Sequence, residues 1–465
     1  MQNEHPPTDR RKPSPLKIAL YAGLAVGAIV LVCVLALLFF PDPLVNRFIK
    51  PRIIKAFAEG YPAYSIRIAD MHYSVVKNRF GFDSVALSAV DGTFSSNMGL
   101  FSVSGIGWMH LLWGGSLTPH DFANSVVEAQ NIVLNFQPAQ YQFRCGRLRV
   151  SVADSEMVAD SITCSSLIHD EQFFAKSQFR QTRFRFDIPQ VNIIGLDCLA
   201  FLQGDTYKAT SITMHDVFAD ILVNMDKPYD KNSPNPQMPN EVLSSMKETV
   251  KLDSLKIING RLTYSERYAV KAIPGVITFN KVNVSVSGIA NHKAHPDTAV
   301  IHGEGLFMNT GAMKLFMAIP LSSKDFSLRC SGSLSTMDLT ELNLFIEAGE
   351  HRRIKSGTLQ SAAFTTDVIS GNTSGTLRLV YKDLTIAVLN KDTGSEKGIF
   401  NQISSFFGKV FVIRRANMPD EKGLMKVGET KYTRSPDDYF LQFVWFALRN
   451  GLADVVGFPP RLRQE

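Results

Sequence analysis

The chain has 465 residues, 45% of them hydrophobic, with 32 phenylalanines, 20% charged residues and a formal net charge of +6. That composition excludes a disordered chain, and a charge so small over such a length gives no basic footprint for nucleic acid. The length exceeds that of a usual single domain, so two units or one elongated body both fit it.

The first element in chain order is residues 18–40, "IALYAGLAVGAIVLVCVLALLFF", an uncharged run from Ile18 to Phe40. About 23 apolar residues in one helix cover the roughly 30 Å hydrocarbon layer, so a single transmembrane anchor is expected here. A cleaved signal peptide is the competing reading, but the run is too long for one. It also ends in Phe39, Phe40 and Pro41, where a peptidase needs small residues. Basic residues balance across the span: Arg10, Arg11, Lys12 and Lys17 precede it, and Arg47, Lys50, Arg52 and Lys55 follow it. The short tail at 1–17 and the lack of a second span in the long body favour the tail inside and the body on the far side.

In residues 41–59, Leu44, Phe48, Ile53 or Ile54, and Phe57 recur at roughly helical spacing with Arg and Lys between them and Pro51 interrupting. A kinked amphipathic helix on the membrane surface is expected, the alternative being a connector packed on the body. After Gly60 and Pro62 the period changes to two. Candidate strands follow: "YSIRIADMHYSVV", "RFGFDSVALSAV", "SVVEAQNIVLNF", "GRLRVSVADSEM", "RFRFDIPQVNII" and "KATSITMHDVFADILVNM". After a Pro- and Asn-rich linker at 226–241 come "DSLKIINGRLTYSE", "GVITFNKVNVSVSGIA", "SGTLQSAAFTT" and "SGTLRLVYKDLTIAVLN". Roughly 18 to 24 strands are expected, in a first β region at 60–225 and a second at 242–434. "EKGIFNQISSFFGK" predicts a short amphipathic helix. Residues 435–465 predict a terminal helix with Ser435 as N-cap, Pro436 at its first position and a stop near Gly451 or Gly457.

Two apolar runs of helical character interrupt the β pattern. "GIGWMHLLWGG" precedes "VVEAQNIVLNF", and "NIIGLDCLAFLQGD" precedes "SITMHDVFADILV", the runs about 88 residues apart and the strands about 85, a weak internal repeat. Each run would return the chain to start another set of strands.

In "KVNVSVSG", Val282, Val284 and Val286 face one way and Lys281, Asn283 and Ser285 the other, giving one apolar and one wet face. The helices are too few and short to cover such a sheet. It must curl on itself, pack on a second sheet, or leave a groove filled by something apolar, for which the acyl chains of membrane lipids are suited. The same alternation in a second strand adds Leu377, Leu379 and Tyr381, so Val282, Val284, Val286, Leu377, Leu379 and Tyr381 are the candidate groove lining. Twenty strands about 4.8 Å apart would make a trough of roughly 100 Å. A self-filled sandwich or barrel uses the same pattern.

Of five cysteines, Cys33 lies in the apolar span and Cys145, Cys164, Cys198 and Cys330 in the body. Cys145 and Cys164, on consecutive candidate strands, are a possible disulfide in an oxidising compartment or two buried thiols. His292, His295 and His302 are the clustered histidines, and no nucleophile-elbow, P-loop or H-E-x-x-H spacing is present. No catalytic residue, metal or cofactor is therefore expected, and the chain reads as a non-enzyme without nucleic-acid partners.

The order of elements, an apolar span, "LVNRFIKPRIIKAFAEGY", "SIRI", "GFDSVALSAV", a short helix and "VEAQNIVLNF", resembles the AsmA-like family of bacterial envelope proteins, relatives of TamB. "LDSLKIINGRLTYSE" with "IPGVITFNKVNVSVSGI" is similar to that family's repeated strand pair, and "SGTLRLVYKDLTIAVLN" with "FVWFALRNGLADVVG" to its C-terminal module. The resemblance spans nearly the whole chain. It implies a mainly β protein: an inner-membrane anchor carrying a long, curled, taco-like antiparallel groove in the periplasm with a capping C-terminal helix. It also implies a part in phospholipid transport to the outer membrane, or in its homeostasis, alongside other envelope proteins. The chain is short for the family, which favours a shuttle, one piece of a bridge or an accessory role over a complete span between membranes. The alternative function is an anchored periplasmic scaffold that assists outer-membrane protein assembly without lipid cargo.

Overall fold

The computed structural model describes residues 41–107, 118–291, 298–390, 396–399, 402–403 and 411–457. The expected anchor with its ends Ile18 and Phe40, the run at 108–117, and His292 and His295 lie outside them. No described helix is long and apolar enough to cross a membrane.

The chain opens with a helix, α1, made of abutting pieces Asp42–Leu44, Val45–Ile49 and Lys50–Gly60, the middle one a π-helix. The wider turn sits just before Pro51, whose ring and missing N–H disturb a regular helix, so the expected kink becomes a π segment. Val45, Ile53 and Ile54 pack on Ile68, Met71 and Val85. Leu44 and Phe48 stay exposed.

Six strands of equal length follow: β1 Tyr64–Ser74, β2 Arg79–Ala89, β3 Phe94–Ser104, β4 Val126–Phe136, β5 Tyr141–Ser151 and β6 Glu156–Ser166. Loops at 75–78, 90–93, 137–140 and 152–155 each hold one left-handed residue, Asn78, Gly92, Gln140 and Ser155, as four-residue hairpin loops require. The expected strand "GRLRVSVADSEM" is thus two half-strands around a turn closed by Ser155 N–H donating to the Val152 carbonyl at 3.1 Å.

Helix α2 Asp170–Ala175 precedes β7 Thr182–Ile194, and helix α3 Cys198–Gln203 precedes β8 Thr206–His215 and β9 Phe218–Asn224. β8 and β9 lie end to end, each antiparallel to β7. The Pro- and Asn-rich stretch and helix α4 Pro239–Ser245 then carry the chain back so that β10 Thr249–Arg267 runs parallel to β8 and β9. This is a crossover within one continuous sheet, not a break between two sheets.

Antiparallel order resumes through β11 Gly275–Ala290, β12 Thr298–Phe307, β13 Gly311–Pro320, β14 Leu328–Leu334, β16 Arg352–Ile369 and β17 Asn372–Leu389. β15 Met337–Asp338 pairs with β16, and helix α5 Asn343–Glu350 precedes β16. The far edge of β17 carries short strands β18 Glu396–Ile399, β21 Val427–Glu429 and β22 Tyr432–Thr433. β19 Gln402–Ile403 and β20 Phe411–Val412 form a separate pair. The helix expected in "EKGIFNQISSFFGK" is therefore strand at 396–399 and 402–403, because β17 offers Ala387, Val388 and Leu389 as ladder partners.

Helix α6 Phe440–Val456 ends at left-handed Gly457. Its start is four residues later than expected: Ser435 to Asp438 form a turn in which Asp438 N–H donates to the Ser435 carbonyl at 3.1 Å and Ser435 N–H to Asp438 Oδ2 at 2.6 Å. Phe443, fully buried, packs with Phe326 and Tyr432.

The described residues thus form one 20-stranded curled sheet, antiparallel except where β8 and β9 meet β10. A line of left-handed residues crosses it near mid-strand: Ser84, Asn131, Ser161, Asp216, Asn259, Lys281 and Asp383. Each bulges or skips its ladder locally, which bends the strand and raises its twist. Repeated from strand to strand, the bends become a crease along which the sheet folds into a trough. Counting end-to-end and flanking pieces together leaves fourteen inter-strand steps from β1 to β17, or ~70 Å at about 4.8 Å each, shorter than twenty full strands would give.

Candidate functional site: an apolar trough

The ladders place one side chain per strand in rows that run the length of the trough. One row is Tyr73, Phe80, Val103, Val127, Val150, Met157, Ile193, Ile212, Leu255, Val286, Ile301, Met317 and Cys330, each the register partner of the next. The next row on the same face is Met71, Phe82, Phe101, Ala129, Leu148, Ala159, Val191, Met214, Ile257, Val284, Gly303, Leu315, Gly332, Phe364 and Leu377. Across the crease a third runs Ile66, Leu87, Ser96, Leu134, Phe143, Cys164, Phe186, Ala219, Leu262, Phe279 and Phe307. Ser96 and the phenol of Tyr73 are the hydroxyls in these rows.

The row between the first two points the other way and includes His72, Ser102, Glu128, Arg149, Asn192, Thr213, Lys256 and Ser285. Successive strand residues alternate faces, so this polar row and its apolar neighbours are the two sides of one pleat.

Burial follows the crease. Ile68, Val85, Ala129, Ile132, Cys145 and Ala159 beside it are buried, so the trough has a packed floor. The walls above are half-buried, and Val103, Val127, Val150, Met157, Ile193, Ile212, Leu255 and Val286 belong to none of the packed cores of the described residues. Eight large apolar side chains in line, neither packed nor displayed as an outer surface, make a contiguous apolar strip inside a concavity.

The six candidate lining residues divide. Val282, Val284 and Val286 are half-buried on β11, and the outward Lys281, Asn283 and Ser285 are exposed. Leu377 and Tyr381 are buried, and Leu379 and Tyr381 pack in the core that contains Val455 of α6. The Tyr381 hydroxyl donates to the Arg414 carbonyl at 2.9 Å, and burial pushes its pKa up to about 12. α6 lies over these three, so they form the covered end of the trough and the valines its open wall. The remaining wall residues were not singled out from sequence, because alternation marks a face within a strand but the register that joins faces into rows is set by loops and bulges.

α1 shields the opposite end. Asn46 Nδ2 donates to the Met71 carbonyl at 2.8 Å, Met71 N–H donates to Asn46 Oδ1 at 2.9 Å, and Tyr73 N–H donates to Asp42 Oδ1 at 2.9 Å. Side chains thereby satisfy part of the free edge of β1, which would otherwise invite pairing with another chain. His72 Nδ1 and Nε2 lie 2.8 and 2.9 Å from Asp42 and Asp83, and these hydrogen bonds raise its pKa. For Asp42, burial pushes upward, but the bonds from His72 and Tyr73 hold it below the ordinary carboxylate range.

The four described cysteines are free. Cys145 pairs in register with Ile162 and Cys164 with Phe143, so they are not opposite each other. Burial raises all four thiols, Cys330 to about 12, which keeps them protonated and unreactive at neutral pH. His302 sits on the outward face beside Phe316. Among the described residues no group of three His, Cys, Asp or Glu side chains is placed to hold a metal. Comparison of the chain with protein-family models and with curated proteins finds no match to either.

Proposed function

We propose that the chain binds phospholipid acyl chains in the apolar trough and takes part in phospholipid transport to, or homeostasis of, the bacterial outer membrane. In this reading residues 18–40 anchor it in the inner membrane and the sheet stands in the periplasm. The observation that carries the proposal is the unbroken row from Val103 to Val286, half-buried and outside every packed core. A self-filled sandwich would bury those side chains against a second layer. Acyl chains supply the missing layer, and the gain is hydrophobic and non-directional, which suits a surface with almost no polar handles.

A photo-crosslinking residue placed singly at Val127, Ile193, Ile212 or Val286 of the full chain in cells should capture phospholipid. The same residue at Lys256 or Ser285, on the opposite face, should not. Equal capture on both faces, or none on either, removes the lipid reading and favours the scaffold that assists outer-membrane protein assembly.

A further inference from the structure

The trough wall changes chemistry at its rim. Directly beyond Met157, Ile193, Ile212 and Leu255 lies a cleft of about 500 Å³ whose polar lining is Ser155, Asp197, Lys208, Thr210, Lys251 and Asp253. Apart from Asp197 and Ser155 of the 152–155 loop, it comes from the first halves of β8 and β10, and the cleft sits where these two strands run parallel. The parallel register makes Lys208 and Lys251 direct partners, so two lysine side chains leave adjacent strands at the same level. Like charges placed so repel. Asp253 answers one of them, at 3.4 Å from Lys251 Nζ. Lys208 is exposed and has no carboxylate partner among the described residues. Asp197 is committed in part to helix α3, where Oδ1 accepts from Ala200 N–H at 3.2 Å.

We propose that this cleft is a headgroup subsite for a zwitterionic phospholipid, with the phosphate between Lys208 and Lys251 and the cationic end of the headgroup beside Asp253 and Asp197. The inference rests on the acyl-chain reading of the trough and adds to it a place where a lipid is recognised by more than its tails. Two lysines and two aspartates give the cleft no net charge, so it matches a headgroup carrying both signs better than a purely anionic one. Thr210 and Ser155 add hydroxyl donors of the kind that share a phosphate's oxygens. The geometry matches an amphiphile lying across the rim, its polar part in the cleft and its chains along Ile193, Ile212 and Leu255.

The test uses the full chain, stripped of lipid in mild detergent and offered three lipids with identical tails: diacylglycerol, phosphatidylglycerol and phosphatidylethanolamine. Bound lipid is counted by native mass spectrometry. The wild type should retain phosphatidylethanolamine about tenfold over diacylglycerol. Lys208→Gln with Lys251→Gln should bring the two to parity while diacylglycerol binding stays as in the wild type. Lys208→Glu alone, at an exposed position, should also erase the preference.

A wild type that holds all three lipids equally, or that prefers phosphatidylglycerol, overturns the subsite and leaves the trough reading standing. A wild type that holds none removes both. Loss of diacylglycerol together with the phospholipids in the glutamine variant assigns the lysines to holding the rim and overturns the proposal. Protection of both lysines from acetylation by inorganic phosphate alone, as full as that given by lipid, makes the cleft a free-anion site and overturns the lipid assignment.

Discussion

Gly195 ends β7 in the left-handed region at φ 70°, and a Cβ there would overlap the Thr210 side chain on β8. Gly105 after β3 and Gly288 near the end of β11 hold corresponding places, also left-handed and close to the strand that returns. They recur about every 90 residues, every fourth strand on the same rim, which gives the weak repeat seen in the apolar runs a structural counterpart. Gly204, also left-handed at φ 81°, has open space where a Cβ would go. Gly204→Ala should therefore cost about 1 kcal/mol, for backbone strain alone. Gly195→Ala should cost about 2–3 kcal/mol, because the overlap adds to the strain, and the two denaturant midpoints measured side by side check the difference. His72 makes a second residue-scale prediction. Its folded pKa is raised, so its hold on Asp42 and Asp83 is complete below the ordinary histidine value of 6.5 and is lost as pH rises through the raised value. Asp42 is lowered, so its own contribution is present above 3.8 and is lost as pH falls through the lowered value. The contact between α1 and β1 should be tightest between these limits. Amide exchange at Met71 and Tyr73, corrected for intrinsic rate, should quicken as His72 deprotonates, and His72→Gln should remove that dependence.

At the scale of elements, period-two alternation and turn residues located many strands directly, and β1, β2, β4 and β11 fall within a residue or two of the segments expected. β3, "FSSNMGLFSVS", was hidden by its serines and central Gly99, which lies against Asn131 at the crease. β12 to β14 carry glycines or unbroken apolar stretches that blur the alternation. The crease itself was not legible, because Ser, Asn and Asp inside a strand look like turn residues until several prove to be neighbours in space. α6 was visible as an apolar run, but its covering role depends on Phe443 meeting Phe326 and Tyr432, more than a hundred residues and about ten residues away in sequence, respectively. That contact can be weighed. Phe443→Ala empties a fully buried site and should cost about 3–5 kcal/mol, whereas Trp445→Ala, half-exposed on the same helix, should cost about 0.5 kcal/mol or less. Denaturation of the two variants followed by far-ultraviolet circular dichroism separates a helix that packs the end of the sheet from one that merely lies on it.

At the scale of the molecule, the trough is a single apolar path from α1 to α6, and a path and a pocket respond differently to an obstacle. In a static binding site each segment holds its own lipid, so a charge at one strand removes binding locally and leaves both sides intact. In a conduit that fills from the α1 end, lipid passes each strand in turn, so a block starves everything beyond it. Ile212, half-way along the first row and outside every packed core, is the place to set that block. Ile212→Arg puts a guanidinium among Ile193, Leu255 and Met214, where an unpaired charge repels acyl chains, while the half-buried position lets the side chain reach water without unfolding the sheet. With crosslinkers at Val127 on the near side and Val286 on the far side, conduction predicts that Ile212→Arg leaves lipid capture at Val127 unchanged and reduces it at Val286 at least tenfold. Equal capture at both positions would make the trough a row of independent sites filled from either end. Ser211→Arg, one residue away on the opposite face, should leave both positions as in the wild type, because the pleat directs its side chain out of the trough.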